Sequence, residues 1–231
     1  SLYGKVLRGW ALSMQGQRAE TLTQIHQGMT FYRATWAEQF PLHQLALLAE
    51  AYGNVGQAAD GLRLVVKALA TENKRGERYY KAELYRLKGE LTLAGVRDSG
   101  LGAGEEKSPK SEVRSPTSQN TASPLLTPDP QGEAEMCFRQ ALEISRRQHA
   151  KSLELRASVS LASLWQSQGK GVEARTLLED IYRWFTEGFD TKDLQEAAAL
   201  LCALGSTVES TGSRQRTTGD GQPAAAGERV E

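Results

Sequence analysis

The stretch QGKGVEARTLL, residues 168–178, sets Gly169, Lys170 and Gly171 directly ahead of an apolar-periodic run. A phosphate-binding loop opens onto its helix in that way. Such a loop needs GxxxxGK followed by Ser or Thr: glycines turn backbone amides toward the phosphates, the lysine neutralises them, and the hydroxyl holds magnesium. Here the lysine is followed by Gly171, and the preceding LASLWQS is helical in pattern rather than a strand. GLGAG, residues 100–104, lacks the spacing of a dinucleotide loop and has no strand before it. His26, His43 and His149 have no His or Cys three or four places further on, so neither a zinc site nor a catalytic triad is expected. Glu105 and Glu106 are adjacent in a Ser- and Pro-rich stretch, where no fixed acid–base geometry can be held. The basic ISRRQHAK is short and lies between Glu143 and Glu154. No catalytic, cofactor or metal constellation is therefore expected.

Composition narrows the partners. The chain has 231 residues, with Lys plus Arg and Asp plus Glu at 28 each. A neutral chain has no global electrostatic footprint for nucleic acid or an anionic membrane. No apolar run approaches the roughly 18 residues of a membrane span, and the start lacks the pattern of a signal peptide. Cys137 and Cys202 are far apart in helical, apolar surroundings, which predicts buried reduced thiols in a cytoplasmic protein. LYGKVLRGWALSM, after Ser1, reads as mid-helix, the expectation for a piece of a longer chain.

The elements that must position any site are helical. Ala, Leu, Glu, Gln and Arg dominate, with apolar residues at helical spacing. The pattern predicts helices over 3–15, 18–35, 41–54, 58–74, 77–95, 132–148, 151–168, 171–186 and 191–204. Pro41 suits a helix start, Gly188 a stop, Asp190 or Thr191 a cap, and Gly205 the end of the last helix. His149, with Arg146 and Arg147, is expected to complement a helix C-terminus. Residues 97–131 and 205–231 are rich in Ser, Pro, Gly, Thr and charge, and are expected to be disordered.

The helices repeat. Small residues Gly9, Ala49 and Ala162 are each followed three places later by Leu12, Tyr52 and Trp165, and seven places later by Gly16, Gly56 and Gly169. Acids follow at Glu20, Asp60 and Glu173, and apolar residues at Ile25, Val65 and Leu178. Gly9, Ala49 and Gly89 are 40 apart, whereas Glu133, Ala134 and Phe138 lie 33 places later than that period requires. Four units of about 40 residues result, the third with its turn expanded into the insertion. Small residues on first helices face Thr21, Gly61, Ala134 and Ala174 on second helices, so the helices of a pair can approach closely. Trp10, Tyr52, Tyr79, Tyr80, Tyr85, Trp165, Tyr182, Trp184 and Phe185 are expected as core between layers.

This small–large–glycine–small–apolar pattern resembles tetratricopeptide repeats, though the period exceeds the usual 34 and the terminal proline is missing. Residues 133–201, with LALLAEAYGNVGQAADGL, KAELYRLKGELTL and above all WFTEGFDTKDL, resemble the C-terminal repeat region of large bacterial signalling proteins. In those, a cyclase or DNA-binding regulator domain precedes an AAA/STAND-type ATPase. The resemblance covers most of residues 1–204. It implies an all-α, right-handed α-solenoid of four helix pairs with a C-terminal capping helix. The units are about 1–40, 41–76, 77–149 and 150–189, with the cap at 190–204. It implies a non-catalytic protein-interaction arm in the cytoplasm, with a self-associating scaffold as the alternative. It also implies that first helices line a groove for a protein segment. Mapped onto this sequence, the groove positions are Trp10, Met14, His43, Glu50, Asn54, Glu83, Arg86, Glu90, Arg156 and Gln166.

Overall fold

The computed structural model describes residues 2–34, 42–75, 80–98 and 129–214. Among these the chain is helical, without strands: α1 (Leu2–Met14), α2 (Arg18–Ala34), α3 (Leu42–Asn54), α4 (Ala58–Arg75), α5 (Lys81–Asp98), α6 (Pro130–Arg147), α7 (Lys151–Ser167), α8 (Gly171–Tyr182) and α9 (Lys192–Arg214). Consecutive helices pair as α1–α2, α3–α4, α5–α6 and α7–α8. The odd-numbered helices also touch in series, α1 on α3, α3 on α5, α5 on α7 and α7 on α9. The result is an α-solenoid whose odd helices form one continuous row.

The repeat turns explain the pairing. Gly16, Gly56 and Gly169 have φ of 74°, 77° and 76°, left-handed values that cost a side-chain-bearing residue free energy. Each lets the next amide reach back over the helix end: Gln17 N–H to Leu12 O at 3.0 Å, Gln57 to Tyr52 at 2.9 Å and Lys170 to Trp165 at 2.9 Å. This 6→1 bond closes the helix and reverses the chain. Lys170 is therefore an exposed turn residue, not part of a phosphate loop. Arg18, at the start of α2, ties one unit to the next. Its Nε and Nη2 donate to the Val55 carbonyl at 3.1 and 2.7 Å.

The layers close on the repeated apolar positions. Ile25, Val65, Phe138 and Leu178 are all sealed from water. Opposite Phe138 sits Gly89, where a Cβ would lie 2.5 Å from the aromatic ring. No larger residue could share that space with Phe138. α9 completes the last pair, its Leu194, Ala197 and Leu204 packing with Leu155, Ala174, Leu178 and Ile181.

Several boundaries differ from expectation. α6 begins at Pro130, two residues early, because the Asp129 carboxylate accepts the Gly132 N–H at 2.9 Å. α5 runs to Asp98, so both rims of the predicted insertion are helical, and 99–128 lie outside the described residues. Pro41 and the predicted helix start at 77 lie outside them too. α8 stops at Tyr182 rather than 186, since Trp184 and Phe185 donate to Ile181 and Tyr182 in tight three-residue steps at 3.2 Å. Gly188 turns the chain with φ 77°. The Thr191 hydroxyl donates back to its carbonyl at 2.7 Å instead of accepting from the helix that follows.

Gly205 does not end α9, which continues to Arg214, so the predicted disordered tail begins as helix. Glycine permits a left-handed stop but does not impose one, and Gly205 is not among the positive-φ glycines. Residues 215–231 lie outside the described set. His149 takes φ 54° between α6 and α7, filling a turn like those of the glycines, with the Ala150 N–H reaching Ser145 O at 2.9 Å. Burial expectations also need correction. Cys137 is buried but Cys202 is exposed, because it faces away from the α8 side of α9. Trp184 is 57% exposed, since it lies beyond the early end of α8. Tyr79 lies outside the described residues.

Candidate partner groove

The row of odd helices brings polar residues of distant units together. Trp10, Glu50 and Glu90 hold the same place in three units, one residue after the small starters Gly9, Ala49 and Gly89. His43 and Glu83 share another place, 40 apart, and Arg156 follows after the further 33-residue expansion. Because the first helices stack side by side, these places form parallel stripes across the row.

The centre is an ion network. Within α5, the Arg86 guanidinium grips Glu83 in bidentate fashion, Nη2 at 2.7 Å and Nε at 3.0 Å, while Nη1 reaches Glu90 at 2.9 Å. From α7, Arg156 places Nη1 3.0 Å from Glu83 and Nη2 3.3 Å from Glu50. Trp10 Nε1 donates to the other oxygen of Glu50 at 2.7 Å, and Ser160 donates to Glu90 at 2.6 Å. Asp193 of α9 stands 3.9 Å from Arg156 Nε, too far for a hydrogen bond. α3, α5, α7 and α9 are thus linked through one set of charges, and the neutral Trp10 indole ties α1 to it.

Glu83 and Arg86 are buried. Burial alone would raise the Glu83 pKa, but the charge and hydrogen bonds of Arg86, with the charge of Arg156, hold it below the usual carboxylate value. Burial likewise works against the Arg86 charge, and Glu83, Glu90 and Glu50 overcome it and raise its pKa further. Both groups therefore stay ionised. Such a pair is not stabilising relative to a well-packed apolar substitute, but leaving one partner alone is costly. Its value here is geometric, because the paired charges fix the side chains that face the groove.

Above the network lies a cavity of about 440 Å³. Met14, Glu50, Asn54, Arg86, Glu90 and Arg156 line it, and Trp10 and Glu83 support it through Glu50 and the two arginines. Eight of the ten expected groove residues are thus brought together. His43 is elsewhere, its ring 5.9 Å from Tyr80. Gln166 lies half-buried toward the C-terminal end of α7, outside the cavity wall. The sequence reading did not include Ser13, Val159, Ser160, Lys192, Asp193 and Glu196, which also line the cavity. Ser160 follows Arg156 by one helical turn, a spacing that could have revealed it. The α9 residues needed the recognition that the cap extends the inner row as well as covering the last pair.

Among the described residues there is no cluster of three or more side chains suited to a metal ion. None of the described helices is long and apolar enough to cross a membrane.

No family model matches the chain, and no curated protein matches it either. Solved structures do resemble it. One is a putative kinesin light chain of Podosopora anserina with nearly identical TPR-like repeats. It is 18% identical, with a TM-score of 0.56, and the match covers 93% of this chain and 88% of that one. A single-substitution variant of the same fungal protein gives 18% identity over the same shares, with a TM-score of 0.57. The fold is thus that of tetratricopeptide-like helical repeats, an α-solenoid of paired helices.

Proposed function

We propose that this chain is a non-catalytic protein-interaction module, which holds an extended segment of a protein partner along its inner face. The observation that carries this reading is the continuous concave wall of α1, α3, α5, α7 and α9, whose side chains are fixed by a buried ion network beneath an open cavity. A rigid wall with preset polar groups can bind an extended chain without first ordering its own side chains. The repeat fold is typically non-enzymatic, in keeping with this reading. The WFTEGFDTKDL resemblance supports a place as the C-terminal arm of a cytoplasmic signalling protein, with the partner segment in a neighbouring cyclase or ATPase domain. Any such catalysis would reside in those domains.

Site-specific photo-crosslinking in the native host tests the groove. A crosslinking side chain at Asn54, exposed in the groove, should yield adducts that map to one recurring protein segment. The same group at Arg63, exposed on α4, should not. Equal adducts from both positions, or none from Asn54, would overturn the reading. The signalling context is tested separately by the reading frame upstream of the Ser1 codon. An encoded cyclase, regulator or ATPase domain supports it, and an unrelated domain or an immediate start codon overturns it.

A further inference from the structure

We infer that the groove selects a partner segment carrying a Lys or Arg side chain, whose cationic head lies among Glu90, Asp193 and Glu196. The inference rests on the groove reading above and adds the chemistry of the occupant. Five carboxylates, Glu50, Glu83, Glu90, Asp193 and Glu196, line or underlie the cavity, against three cations, Arg86, Arg156 and Lys192, so two negative charges are in excess.

The distribution of bonds matters more than the sum. Every guanidinium nitrogen of Arg86 already meets a carboxylate, on Glu83 or Glu90. Arg156 directs its three nitrogens at Glu83, Glu50 and Asp193. Lys192 stands 3.4 Å from Glu196. An incoming carboxylate would compete with carboxylates already in place, and both arginines are anchored on the buried Glu83.

The carboxylates are less committed. Glu90 uses Oε1 for both Arg86 and Ser160, and no contact among the described residues engages Oε2. Among the described residues Asp193 has only the 3.9 Å approach of Arg156. The side chains of Glu90, Asp193 and Glu196 are 47, 42 and 52% exposed, open enough to receive a cation yet backed by low-dielectric protein. Met14 and Val159 give the same cavity an apolar wall for the aliphatic stem that carries such a charge.

The test uses the full chain and a panel of twelve-residue extended peptides, identical except for a central Lys, Arg, norleucine or Glu. Binding is followed by backbone amide shifts of the groove residues and by titration at low and high salt. The Lys and Arg peptides should bind roughly tenfold more tightly than the norleucine peptide, and high salt should erase most of that difference. The Glu peptide should be the weakest. The double variant Asp193→Asn, Glu196→Gln, at half-exposed positions, should remove the preference, so that the Lys, Arg and norleucine peptides bind the variant alike. Glu90→Gln is the second variant should α9 be disturbed. If all four peptides shift the groove amides equally, or the Glu peptide binds best, the charge inference is overturned while the groove stands. If none shifts them, both readings fail.

Discussion

Between the helix layers, Ile25, Val65 and Leu178 stand sixteen places after Gly9, Ala49 and Ala162, and Phe138 takes the same role once the 33-residue expansion is removed. All four are large, apolar and sealed from water. On the inner face, the residue one place after the starter is Trp10, Glu50, Glu90 and then Ser163, three different chemistries across the four units. The layer positions meet the same neighbours in each unit, so the same physical solution recurs. The inner positions meet neighbours from the next unit and whatever binds, and they vary. Stability in a solenoid follows the first set, and recognition is expected from the second.

The sharpest way to break this division is at the layer. Phe138→Ala empties the space that Gly89 leaves for the ring and should destabilise the chain by about 4 kcal/mol. Chemical denaturation would read it as a lower midpoint. A loss under 1 kcal/mol would show that the third unit, with its long insertion, does not carry the layer packing of the others.

Glu83 tests the inner face, because it is buried as deeply as a core residue yet carries a charge. Glu83→Gln leaves Arg86 and Arg156 without their shared counter-charge and should cost about 3 kcal/mol. The pH dependence gives a second readout. The folded carboxyl is held below the ordinary glutamate value, so its contribution is present above that ordinary value and is lost as pH falls through the lower folded pKa. The wild-type chain should therefore lose stability more steeply than the variant in that acid range. Identical acid profiles would mean that the network is not formed in solution.

The same division shows what a reader of the sequence could find. The starters, turn glycines and layer residues were legible because each is required by geometry that recurs every unit. Eight of the positions that the resemblance implied for a groove meet around one cavity, but their partnership was not legible: that Arg156 meets Glu50 106 residues earlier depends on how far successive first helices are offset. Asp193 was hidden because α9 reads as an apolar cap, and its polar edge matters only once α7 lies beside it. Gly205 misled because a glycine allows a stop that the packing of Leu204 and Ala197 does not require. The break between 148 and 151 was legible, but the left-handed conformation of His149 was not, since a turn built on a non-glycine residue leaves no compositional mark.

The turns offer a finer comparison. Gly169→Ala forces a side chain into φ 76° with nothing within 4 Å of its Cβ, so any cost is conformational rather than steric crowding. About 1 kcal/mol of destabilisation is expected.

His149 is the natural counterpart, a side chain already held at φ 54°. Replacing it with glycine relieves the left-handed conformation but frees the unfolded chain, so the two effects oppose each other. The turn bond from the Ala150 amide to Ser145 is made by backbone alone and survives the change. A net gain of about 0.5 kcal/mol is expected, because the left-handed penalty of a non-glycine residue exceeds the added backbone freedom. Paired unfolding curves of His149→Gly and Gly169→Ala should then shift in opposite directions. Should His149→Gly instead destabilise, the imidazole must hold the α6–α7 corner through contacts of its own, and the turn between units would differ in kind from the turns within them.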